Sequence, residues 1–127
     1  PSLECAYKLQ EYGGRPRRKR SEQKATWPGR KQVYRTINAE GVMQEDRVTL
    51  ADETGKGIPL IQPCMQENQR LTPPESLAEI RERVARQLQG LPDSLKSLQT
   101  EPAYPVKISP TLENLAETVD RRIDIPI

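Results

Sequence analysis

The chain has 127 residues, only 34% of them apolar, with no Phe, no His and a single Trp, Trp27. That is enough for one modest domain with a thin core, and the lack of imidazole excludes Ser-His-Asp or Cys-His catalysis within the chain. The net charge of +2 hides an asymmetry: residues 1–35 carry ten basic and three acidic groups, +7, while residues 36–127 carry ten and fifteen, −5.

Taken in order, residues 3–10, "LECAYKLQ", place Leu3, Cys5, Tyr7 and Leu9 on one side and Glu4, Lys8 and Gln10 on the other. This period of two predicts a half-buried strand. Gly13-Gly14 is a turn, and "RPRRKR" returns as a second strand that Pro16 confines to an edge. Pro28-Gly29 is another turn. "KQVYRTI", 31–37, is rich in β-branched and aromatic residues and predicts a strand. "NAEG" closes it, "VMQEDRVTL", 42–50, is the next strand, and "TGKG" a loop. "IPLIQPCM", 58–65, is apolar, but Pro59 and Pro63 push it to an edge or into irregular structure.

At residue 72 the period changes. Thr72-Pro73-Pro74-Glu75 reads as a capping box with Pro73 at the first helical position. Leu77, Ile80, Val84 and Leu88 share one face of the helix that follows, with Arg81, Arg83 and Arg86 turned away from it. Gly90 ends the helix as a left-handed cap. A short helix is expected within 91–98 and a brief strand within 103–108. Ser109-Pro110 starts a last helix with Leu112, Leu115, Ala116 and Val119 as its apolar stripe. The tail from Asp120 shows no period. Strands followed by two or three helices give an α+β fold. The division is a β region over 1–71, with a basic edge at 15–35, and a helical region over 72–127, together one domain or part of one.

Few residues offer chemistry. Cys5 and Cys64 cannot hold a structural zinc without histidines; one disulfide is possible, but two reduced, small apolar thiols are expected, with Cys5 packed on its strand face. No apolar run approaches a membrane span, so the chain is expected to be soluble and cytoplasmic. Asp52-Glu53 point to opposite faces if extended, so a shared proton is not expected and a loop is the default. Gly55-Lys56-Gly57 lacks the helix start of a phosphate loop and reads as a turn. There remains the run 13–35, with nine Lys or Arg against Glu22 alone. It suits a charged strand edge that resists stray pairing. It also suits nucleic acid, with Tyr12, Trp27 and Tyr34 for stacking, although no zinc finger or helix-turn-helix pattern accompanies it.

The string "AYKLQEYGGRPRRKRSEQKATWPGRKQVYR", 6–35, resembles the segment after the catalytic barrel in nicotinate phosphoribosyltransferases. Tyr7, Lys8, Leu9, Arg15, Pro16, Arg17, Lys19, Ser21, Lys24, Pro28, Gly29, Lys31 and Arg35 stand in matching places. "SLAEIRERVARQL", "LPDSLKSL" and "YPVKISPTLENLAE" resemble the closing helices in order and spacing. Arg20 replaces a common apolar residue and Gln23 a frequent Gly.

The resemblance implies a C-terminal portion of an enzyme of NAD biosynthesis that makes nicotinate mononucleotide from nicotinate, phosphoribosyl pyrophosphate and ATP with Mg2+. It implies a β domain with flanking helices beside an upstream barrel, in a homodimer, with the catalytic residues and cofactors held upstream. No catalytic role and no metal fall to this chain. Lys24, Lys31 and Arg35 are the nearest candidates for a supporting role toward substrate, and the isolated chain is expected to be inactive. A small basic nucleic-acid-binding module is the competing reading; a generic interaction domain using the 73–89 helix face is the third.

Overall fold

The computed structural model describes residues 7–21, 24–97 and 103–123, with only the backbone of Arg20, Ser21, Lys24 and Ile123. The readings placed on Leu3, Glu4, Cys5, Glu22, Gln23, Leu98 and the tail from Asp124 lie outside the described residues. The contacts gather into two units that interleave along the chain: 1–32, 48–54 and 108–127 in the first, 33–47 and 55–107 in the second.

Residues 7–10 form no strand, although the alternation predicts one. Tyr7 is 86% exposed. Alternation shapes one strand but cannot supply its partner: the Gln10 carbonyl is instead claimed by the amides of Arg17 and Gly29. Strand β1 (Glu11–Tyr12) pairs antiparallel with β2 (Arg15–Pro16) around Gly13-Gly14. Both glycines have positive φ, +55° and +68°, as a mirror-image hairpin turn requires. The expected single return strand is divided. β2 ends at Pro16, with one further rung from the Arg17 amide to the Gln10 carbonyl, and the next pairing joins β3 (Arg20–Ser21) to β4 (Lys24–Ala25).

Strands β5 (Lys31–Ile37) and β6 (Met43–Leu50) lie where the sequence predicts them. Asn38 shapes the connection, its side-chain oxygen accepting from the amides of Glu40 and Val42. β7 (Ile58–Pro59) pairs antiparallel with β5 at the sheet edge, as its proline demands. A hairpin of β8 (Met65–Gln66) and β9 (Gln69–Arg70) follows, turning through Glu67 and Asn68 at φ of 49° and 62°. Cys64 is exposed.

Helix α1 spans Leu77–Gln89, and its start corrects the expected cap. Ser76, not Thr72, is the N-cap. Its hydroxyl accepts from the Glu79 amide, and the Glu79 carboxylate accepts from the Ser76 amide at 2.7 Å. The physical reason is Pro74, which drives the residue before it, Pro73, out of the helical region. Gly90 also differs: it closes the helix at φ −79°, not left-handed. Glycine serves close approach there, since a Cβ would lie 2.7 Å from the Gly41 carbonyl oxygen. The Met43 amide donates to the Gly90 carbonyl.

A 3-10 turn covers Asp93–Leu95, and β10 covers Val106–Ile108. The four-stranded sheet has the order β10-β6-β5-β7. The Asp46 amide donates to the Pro105 carbonyl and the Ser109 amide to the Val48 carbonyl. Partners that advance together along both strands make β6 and β10 parallel, with the whole of 51–105 as the crossover. Helix α2 (Pro110–Ile123) begins as predicted. Ser109 caps it, its Oγ accepting from the Leu112 amide at 3.2 Å. Leu112, Ala116 and Val119 are buried. Complete burial of the Leu112 side chain is worth roughly 2–3 kcal/mol. The architecture is α+β: strands β1 to β9 precede α1, and β10 lies between the two α-helices.

Candidate functional site

Two clusters of polar side chains stand out, one in each unit. In the first unit the basic run folds against the end of α2. The Arg18 guanidinium bonds the Asp120 carboxylate at 2.8 Å and lies 5.5 Å from the centre of the Trp27 ring. Trp27 is therefore a platform for the protein's own arginine. Beside this pair Arg15, Pro16, Arg17, Arg18, Val119 and Arg122 line a cavity of about 270 Å³. Arg15, Arg17 and Arg122 have no side-chain ion pair among the described residues.

Lys31 serves the adjacent turn. Its ammonium donates to the carbonyls of Trp27, Pro28 and Gly29, meeting three acceptors with its three N–H bonds. Burial holds its pKa below the usual lysine range, with the Glu11 carboxylate working the other way. Pro28 is fully buried, and a Cβ on Gly29 would meet Leu50 and Leu115 at 3.3 Å. Glu53 anchors the neighbouring turn, accepting from the Leu50 amide at 2.7 Å and the Ser109 hydroxyl at 2.8 Å. Burial works to raise its pKa, but the hydrogen bonds from Leu50, Ser109 and Thr111 prevail and lower it. Asp52 is exposed on the same turn. The two carboxylates do different things, which suits a turn and not a paired acid and base.

In the second unit Arg35 makes a bidentate bond to Asp46, 2.8 Å from Nε and 2.7 Å from Nη2. The Tyr104 hydroxyl donates to the same carboxylate at 3.1 Å. The Arg35 hydrogen bond outweighs burial and lowers the Asp46 pKa. Arg35 and Tyr104 also border an apolar cavity of about 250 Å³ whose walls include Met43, Val84, Leu88 and Leu95. Gly55 is held under the Tyr34 ring, where any Cβ would collide with it, so the Gly-Lys-Gly stretch is a packed turn.

Residues 56–116 match the family model of the nicotinate phosphoribosyltransferase C-terminal domain. A nicotinate phosphoribosyltransferase of Mycobacterium tuberculosis is 38% identical over 111 residues, covering 86% of this chain and 24% of that protein. The mouse enzyme is 31% identical over 147 aligned positions, covering 96% of this chain and 27% of that protein. The crystal structure of human nicotinic acid phosphoribosyltransferase superposes with a TM-score of 0.77 at 27% identity, over 91% of this chain and 26% of that one. The chain corresponds to the C-terminal portion of the nicotinate phosphoribosyltransferases. It spans about a quarter of the length of the relatives it matches.

Set beside that family, the sequence candidates fall in separate places. Lys31 and Arg35 belong to different clusters, and for Lys24 the structure describes only the strand backbone. The Asp46–Tyr104 bond joins residues 58 apart, and no local pattern announces it. Arg122 is likewise brought to the basic run by the fold alone; its sole sequence signal is a second basic stretch, Arg121-Arg122, at a helix end.

Proposed function

We propose that this chain supplies the C-terminal structural portion of an enzyme converting nicotinate, phosphoribosyl pyrophosphate and ATP to nicotinate mononucleotide. The observation that carries the reading is the correspondence over nearly the whole chain, in sequence and in fold, to one stretch of that family. In this reading the catalytic groups belong to the upstream barrel, and the partners are that barrel and a second copy of the enzyme, in the cytoplasm. The absence of histidine from the sequence supports placing the acid-base and phosphorylation chemistry elsewhere. The bonds of Lys31 and Arg35 support a positioning role for both: they hold a turn and a strand pair.

The test is complementation. The chain alone should form no nicotinate mononucleotide. Joined to the upstream three quarters of a relative in place of that protein's own C-terminal portion, it should support turnover. Robust turnover by the 127-residue chain alone would overturn the reading, as would a folded chimera that stays inactive while the unaltered relative works.

A further inference from the structure

We propose that the cavity between the basic run and the last turn of α2 is a binding site for a compact phosphate-bearing anion, such as pyrophosphate. Arg15 and Arg17 come from β2 and the residue after it, Arg122 from α2, more than a hundred positions away in the chain. The fold therefore gathers charges that the sequence keeps apart. Arg15, Arg17 and Arg122 line one cavity of about 270 Å³ with Arg18. Arg18 is already committed to Asp120 and Trp27, with a side chain only 14% exposed. It forms a fixed wall, while the other three stay available.

Like charges brought together repel one another, and an anion entering among them relieves that cost. Among the described residues none of the three has a side-chain ion pair, and the Asp120 carboxylate is bonded to Arg18. The C-terminal end of α2 offers only about half a negative charge, too little for three arginines. Planar guanidinium forks match phosphate oxygens two at a time, which favours phosphate over a simple halide. Pro16 and Val119, which also line it, carry no competing acceptor side chain. A concave pocket of this size suits a small di- or triphosphate better than a polymer, whose charges would spread along a groove.

The experiment is isothermal titration of the full chain with inorganic pyrophosphate, with inorganic phosphate and a short single-stranded oligonucleotide as separate arms. Parent protein should bind pyrophosphate, and the affinity should fall as salt rises. The double variant Arg15→Gln/Arg122→Gln should bind ~10-fold more weakly or worse, since each lost charge-assisted bond exceeds a factor of several. Arg121→Gln, whose side chain pairs with Glu117 outside the cavity, should bind like the parent. Circular dichroism on each variant separates lost binding from lost fold; if the double variant unfolds, Arg122→Lys should bind more weakly than parent with the fold retained. No heat with pyrophosphate, equal binding by a folded double variant, or tighter binding of the oligonucleotide would each overturn the assignment.

Discussion

Asp46 ties together two strands and a distant tyrosine, and its acidity makes that tie sensitive to pH. The bidentate bond from Arg35 lowers the Asp46 pKa below its ordinary 3.8. The folded carboxyl thus gives up its proton more readily than the unfolded one. The stabilisation is complete above the unfolded value and drains away as pH falls through the folded one. Asp46→Asn should cost roughly 1–3 kcal/mol at neutral pH, because the amide keeps a single acceptor oxygen, so one of the two bonds to Arg35 is lost and the other loses its charge. The gap between parent and variant should close on acidification below about pH 4. Urea unfolding at pH 7 and pH 3 reads both; a gap of equal size at the two pH values would refute this account. Sequence inspection singled out Arg35 as a charge without showing where its charge is used. Its partner lies across a hairpin and the third member beyond a crossover, so chain spacing carries no trace of them. Lys31 is the opposite case, bonding carbonyls only two to four positions back, yet its neighbours in sequence say nothing of a closed turn.

The helices show how local rules succeed and where they slip. α2 was legible at its start and along its buried face: Ser109-Pro110 starts it, and of the expected stripe Leu112, Ala116 and Val119 are buried and Leu115 half-buried. Its last turn, from Asp120, falls in the stretch read as having no period. α1 was legible in extent but not in register, since two hydroxyl-to-acid spacings, Thr72 to Glu75 and Ser76 to Glu79, compete four residues apart. The tandem prolines decide between them. Ser76→Ala should therefore cost about 1 kcal/mol of helix stability, and Thr72→Ala almost nothing. Amide exchange over residues 77–81 would report the difference; equal effects, or a larger one at Thr72, would contradict the assigned cap. The two-residue strands at the amino end were the least legible. Such short pairings are set by turns and by the partners the chain meets, not by periodicity.

Across the molecule, apolar surface is left open to a degree unusual for a small domain. Within the second unit Leu77, Val84, Leu88, Ile58, Ile61 and Met65 are all exposed, and α1 buries no residue. Exposed apolar side chains in such number suit an interface, and the correspondence to about a quarter of the length of larger enzymes gives that exposure a reason. The isolated chain should self-associate at micromolar concentration, and Val84→Lys/Leu88→Lys should shift it toward monomer. Sedimentation equilibrium decides: a monomeric parent would remove the argument. The parallel strand β10 has a further consequence, for the order of events in time. β6 can close its hairpin with β5 as soon as both are made, but its other edge must wait until residues 106–108 have been synthesised and have swung back past everything between. Contacts so remote form late and slowly, so the nascent sheet spends the whole of that interval with one rim bare, open to a chaperone or to a neighbouring chain.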